Sequence, residues 1–127
     1  MAVTTNTTNA NAILDGAYDI YNAGSLKIYT GAQPTRDTAP TGTLLATITL
    51  PATAFTAAAA GSKAKNGTWS VAAAAAGTAG YYQIITSGAT RYEYGSCGQG
   101  AGDLSLDNTN IASGQVVTVT AFTKTLA

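Results

Sequence analysis

Histidine is absent from this chain of 127 residues, cysteine and tryptophan occur once each, and proline three times. Histidine titrates nearest neutral pH and is the commonest metal ligand. Its absence excludes His-based triads, Cys–His nucleophiles and histidine-containing zinc sites. The single cysteine, Cys97, excludes an intrachain disulfide. It sits in Gly95-Ser96-Cys97-Gly98 after an aromatic strand, and the expectation is a small buried thiol. Charge is scarce as well. Six basic and six acidic residues make up 9% of the chain, against about 25% in an average soluble domain. The apolar runs are too short and interrupted to span a bilayer as helices. No period of self-similarity marks a solenoid.

What is present is a vocabulary of Ala, Thr, Gly and Tyr in strand-sized pieces. With 46% apolar residues the low charge does not signal disorder, and the length fits one domain with a real core. A neutral, thinly charged surface resists aggregation poorly as a free monomer, which points to a subunit covered by partners. Nucleic acid is excluded as a partner, because phosphate binding needs clustered cations and the six here are scattered. Lys63 and Lys65, the one close pair, precede a turn and are expected to be solvated. Met1 to Asn9 lacks the basic start and apolar stretch of a signal peptide, so the expectation is synthesis in a cytoplasm with no membrane partner.

Residues 1–9 are rich in Thr and Asn and read as a flexible arm that becomes ordered on docking, with Thr4, Thr5 and Asn6 as contact candidates. A helix is expected over residues 10–22, capped by Thr8 or Asn9. Its apolar stripe is Ile13, Ala17, Ile20 and Tyr21, and Gly24 is its left-handed stop. From Ser25 the period becomes alternating. Strands are expected at Ser25 to Thr30, at Thr43 to Leu50 (Leu44, Ala46, Ile48 and Leu50 on one face), and at Thr68 to Val71. The alanine run after Phe55 is short and lies between breakers, so it is not expected to be helical. Tyr81 to Thr86 and Thr90 to Ser96 make the clearest hairpin, joined by Ser87-Gly88-Ala89. Leu104 to Leu106 is a short strand, and Gln115 to Thr125 a long final one. The fold class is therefore mainly β: an antiparallel β-sandwich or jelly roll of about eight strands in a single domain, residues 10–127, with one short N-terminal helix.

Tests for chemistry come back negative. Asp15 and Asp19 lie four apart on the expected helix, but two acids without further ligands make a poor metal site, and a solvated face is expected. Asp103 and Asp107, with Asn108 and Asn110 nearby, match no complete calcium loop and suit Asx turns. Gly95, Gly98, Gly100 and Gly102 lack the Gly-Lys-Ser/Thr ending and the helix of a phosphate cradle. Nothing brings any two acids together as a glycosidase pair. The expectation is no enzyme, no cofactor and no metal. Tyrosine remains: Tyr81, Tyr82, Tyr92 and Tyr94 gather on the hairpin, and tyrosine suits interfaces and sugar-binding clefts. Alternation sends about half of them to the core and leaves the rest for a neighbour.

The order Asn11-Ala-Ile-Leu-Asp15, Ser25-Leu-Lys-Ile-Tyr-Thr-Gly-Ala-Gln-Pro34, Leu44-Leu-Ala-Thr-Ile-Thr-Leu50, a Tyr-Tyr-Gln-Ile-Ile strand from Tyr81, and Gly100-Ala-Gly-Asp-Leu-Ser-Leu106 before a Val/Thr strand resembles a family of small structural proteins of tailed bacteriophages. The likeness spans most of residues 11–125, and its motifs mark a fold rather than a site. The resemblance implies a virion component on the head surface, most plainly a capsid decoration or cement protein. Its partners would be the major capsid protein and its own copies, with a trimer as the guess. A receptor- or carbohydrate-binding module of a tail or head fibre, using the outward tyrosines and the Gly98 to Asp103 loop, is the alternative. A tail or connector subunit is a further one.

Overall fold

The computed structural model describes residues 5–125. It is mainly β and largely antiparallel, with one helix at the start, as the alternating patterns require. Helix α1 spans Thr7–Tyr18, and a 3-10 turn over Asp19–Tyr21 extends it. The cap is Asn6, whose side-chain oxygen accepts the Asn9 amide at 2.9 Å, so the helix starts inside the expected arm. Its buried side is also rotated from the expected stripe. Ala10, Leu14 and Tyr21 are buried, whereas Ile13 is 44% exposed. This rotation buries Ala10 and Leu14 and also lets Asp15 and Asp19 both reach Lys63. The left-handed stop is Ala23, at φ 59°, not Gly24. Gly24 serves close approach instead, since a Cβ there would lie 2.2 Å from the carbonyl oxygen of Ile85.

Among the described residues ten strands follow: β1 Ser25–Thr30, β2 Leu44–Thr49, β3 Ser62–Ala64, β4 Ser70–Ala72, β5 Gly77–Ile85, β6 Tyr92–Gly98, β7 Leu104–Leu106, β8 Asn110–Ile111, β9 Val116–Ala121 and β10 Thr123–Thr125. The main sheet runs β2-β1-β5-β6-β7-β9-β4, with β8 against the start of β5. The β6–β7 pair is parallel and its neighbours antiparallel. The sheet curls until its ends meet, where the Ala74 amide donates to the carbonyl of Leu45 at 2.8 Å. The result is close to a closed barrel, and the hairpin-like pair β3–β10 sits beside it.

Two strands break the phase that simple alternation predicts. Between Ile28↔Ala46 and Tyr29↔Leu44 the register shifts, so Leu45 is an extra residue on β2. This bulge turns Leu45 inward, fully buried, and leaves Leu44 37% exposed. The long final strand also divides. Val117 and Val119 point into the barrel, and then Phe122 turns inward as the chain leaves β9 to pair with β3. Inside, Leu26, Ile28, Ile84, Leu104 and Leu106 pack with an aromatic group. Phe55 meets Trp69 edge-on at 5.4 Å and Tyr82 meets Phe122 edge-on at 5.2 Å. The alanine run after Phe55 is not helical. Ala59 and Ser62 bond across a two-residue turn whose Ala60 and Gly61 are both left-handed. No helix among the described residues is long and apolar enough to cross a membrane.

Candidate functional site

The tyrosines of β1, β5 and β6 form a continuous row on the outer face of the sheet. Tyr29 stacks on Tyr81 with centroids 5.2 Å apart and planes 8° apart. Tyr81 meets Tyr94 edge-on at 5.8 Å, and Tyr94 meets Tyr92 at 5.1 Å. Period-2 alternation puts them on one face, and strand pairing brings them together. The loop between β1 and β2 folds over this row. The Tyr81 hydroxyl accepts the Thr41 amide at 2.9 Å and donates to the Thr41 carbonyl, while Tyr94 donates to the Thr38 carbonyl at 2.8 Å.

These contacts correct the expected interface. Tyr81 lies on the outer face but is fully buried under the loop, and Tyr82 is fully buried inside the barrel. Tyr94 is half-buried, and of the four only Tyr92 is exposed, at 37%. Of the arm candidates, Thr5 is half-buried and Asn6 caps the helix. Thr4 lies outside the described residues.

Where the loop meets the β5–β6 hairpin they enclose an open cleft of about 640 Å³. Gln33, Pro34, Arg36 and Asp37 line it from the loop, and Thr90, Arg91, Tyr92, Glu93 and Tyr94 from the hairpin, so that two arginines and two acids share the lining. The loop side is a tight turn: Thr38 donates its amide to the Thr35 carbonyl at 3.2 Å, and the two threonine hydroxyls meet at 2.9 Å. Arg36 and Asp37 occupy its centre, with Asp37 left-handed at φ 63°. On the hairpin side, the Arg91 carbonyl accepts the Thr86 amide at 3.0 Å and the Arg91 amide reaches the Thr86 hydroxyl at 3.3 Å.

Two further polar clusters tie elements of the fold together. Lys63, expected in a solvated turn, is buried. Its ammonium reaches Asp15 at 2.7 Å, Asp19 at 2.9 Å and the Thr56 carbonyl at 2.9 Å. Burial opposes its charge, but the two aspartates outweigh this and hold its pKa above the ordinary lysine value. Asp15 is shifted down, chiefly by Lys63 and then by the Ala58 amide. The acids read as a solvated face therefore pin α1 to β3. In the second cluster the Glu93 carboxylate accepts from Tyr18 at 2.7 Å, Tyr82 at 2.7 Å and Lys124 at 2.8 Å. Burial, then Glu93, pushes both phenols well above their usual range, and burial takes Tyr21 to about 12.

The remaining acids are mostly engaged in local hydrogen bonds. Asp103 accepts from the Ser96 amide at 3.0 Å and the Ser96 hydroxyl at 3.1 Å, and Asp107 accepts from the Thr118 amide at 3.2 Å. Among the described residues Asp37 alone of the six has no side-chain partner, and no three His, Cys, Asp or Glu converge as a metal site. Cys97 is held up to about 12, by burial first and then by Asp103. Sequence reasoning missed that Arg36 and Arg91 line the same cleft, because they are 55 positions apart and read as scattered. No protein-family model, curated protein or solved structure matches the chain.

Proposed function

We propose that this chain is a structural subunit of a bacteriophage virion, a head decoration or cement-like protein that binds the capsid lattice and its own copies. The motif resemblance suggests this class, and the distribution of charge supports it. Five of the twelve charged side chains, Asp15, Asp19, Lys63, Glu93 and Lys124, are paired with one another, with Lys63 buried and the Asp15 and Asp19 side chains 41% and 48% exposed. The outside is left with few charges and with Val116 57%, Ile13 44% and Leu44 37% exposed, together with alanines at 57, 59, 60, 72, 74 and 76. Such a surface gains by being covered, at roughly 25 cal/mol per Å² of apolar area. A standard contact buries about 1,600 Å², and repetition over a shell multiplies a modest affinity per site. The work is mechanical, holding neighbouring capsomers together.

Cryo-electron microscopy of particles carrying the protein tests the reading. Density bridging capsomers on the outer lattice is expected. Density confined to a tail or fibre tip overturns it.

A further inference from the structure

We propose that Asn66 is a self-modification site, where the glycine that follows converts the asparagine to aspartate and isoaspartate without an enzyme. Asn66 is the one asparagine of the chain with glycine after it. The pair lies between β3 and β4, and both residues are exposed. The reaction needs the Gly67 backbone nitrogen to bond to the Asn66 side-chain carbonyl carbon. Among the described residues that nitrogen donates to no acceptor, whereas the two amides before it are engaged: Lys65 on the Phe122 carbonyl at 3.0 Å and Asn66 on the Ala54 carbonyl at 2.8 Å. Gly67, left-handed at φ 73°, has no side chain to crowd the attack, and nothing lies within 4 Å of where its Cβ would stand. One cation favours the step. The Lys65 ammonium sits on the Gly67 carbonyl at 2.8 Å, where it stabilises the negative charge that gathers on the Gly67 nitrogen as its proton leaves.

Hydroxide takes the Gly67 amide proton, the nitrogen bonds to Asn66 Cγ, and the side-chain nitrogen departs as ammonia, closing a succinimide ring. Water then opens the ring. Attack at the side-chain carbonyl gives aspartate, and attack at the main-chain carbonyl gives isoaspartate, whose backbone runs through the former side chain. Nothing is oxidised or reduced, and water and hydroxide are the only co-reactants. The site is placed so that the change is felt. The Asn66 side-chain nitrogen donates to the Thr53 carbonyl at 3.1 Å, and the carboxylate that replaces the amide has no proton to donate. Beside Thr53, Ala54 and Phe55 are buried, and Phe55 meets Trp69 edge-on at 5.4 Å. The product therefore loosens a tie at the margin of the core. It also puts a negative charge into residues 66–90, which carry none, and takes the net charge from zero to minus one. The change runs one way and accumulates with the age of the molecule. This inference is independent of where on a virion the chain sits.

The test is timed incubation of the full chain in mildly acidic and mildly alkaline buffer. Peptide mass spectrometry locates the amide-to-acid mass gain, and labelling by an isoaspartate methyltransferase separates the two products. The gain is expected at Asn66 at least about tenfold faster than at any other asparagine, faster in alkali, and with isoaspartate among the products. Lys65→Gln should slow it about threefold or more, the effect of one nearby charge in water. Asn66→Asp, which carries one product from the start, should lower the urea midpoint read by Trp69 fluorescence. Circular dichroism confirms that the variants fold. An intact Asn66, a rate no higher than at the other asparagines, or an unchanged rate in Lys65→Gln overturns the proposal, and a midpoint unmoved by Asn66→Asp overturns its link to the core.

Discussion

Tyr82 faces Gly95 across the β5–β6 ladder, and its ring fills the space a side chain at position 95 would need. A Cβ on Gly95 would lie 2.4 Å from the ring. The ring has nowhere to retreat. Its hydroxyl is held by Glu93 at 2.7 Å and Lys124 at 3.0 Å, and its body packs edge-on against Phe122. Gly95→Ala is therefore expected to destabilise the fold by about 1–3 kcal/mol, the range for overpacked cores. Urea denaturation followed by Trp69 fluorescence measures it, and an unchanged midpoint would contradict this packing.

Glu93 and Lys124 form a second coupled pair, 2.8 Å apart, with side chains 26% and 18% exposed. Glu93→Gln strands the ammonium beside Tyr18, Tyr82 and Phe122, whose rings it lies over at 4.9 to 5.7 Å. Each of Glu93→Gln and Lys124→Met should cost about 1–3 kcal/mol, and the double variant less than their sum by about 1 kcal/mol. Strict additivity in the double-mutant cycle would show that the two side chains act independently.

Asp15 and Asp103 predict an acid-sensitive fold. Both carboxyls sit below the ordinary aspartate value of 3.8, Asp15 through Lys63 and Asp103 through the Ser96 amide. A carboxyl that gives up its proton more readily when folded stabilises the fold while ionised. That contribution is complete above 3.8 and fades as pH falls through the lower, folded value. The urea midpoint should hold steady through neutral pH and drop as acid is added below that range. Asp103→Asn should start lower and show a shallower drop; an identical acid profile in the variant would remove Asp103 from the account.

The Cys97 thiol should be inert in the folded protein. With its pKa held at about 12, the thiolate fraction at pH 8 is very small. Alkylation by iodoacetamide is expected to run about a hundredfold or more slower in buffer than in denaturant. Mass spectrometry of the timed reaction reads the ratio directly, and comparable rates would place the sulfur at the surface.

Much of the architecture was legible where alternation ran unbroken. β1 and β7 fall where the sequence puts them, and the β5–β6 hairpin pairs as expected, with β5 starting four residues earlier at Gly77 and β6 running Tyr92–Gly98. Errors cluster where long-range contacts override local pattern. The bulge at Leu45 depends on pairing with β1, and the split at Phe122 depends on β3. β3 itself is three residues long and is announced by Ala60-Gly61, a weaker signal than Asn-Gly. The helix orientation and the burial of Lys63 go with an ion cluster that joins positions 15, 19 and 63. Tyr81 shows the same limit at the candidate site: its face follows from alternation, but its burial follows from a loop 40 residues earlier. That Arg36 and Arg91 line one cleft was illegible for the same reason.

The hydrogen bond from Ala74 to Leu45 has a consequence for assembly. A sheet that ends in open strands offers a template to any other chain, and identical molecules packed at high density would extend one another into fibrils. By bringing the end strands β2 and β4 together, with the Ala74 amide on the Leu45 carbonyl, this chain withdraws part of that template from its neighbours. A second molecule meeting this one is then met mainly by side chains on the faces of the sheet, and less by bare strand edges.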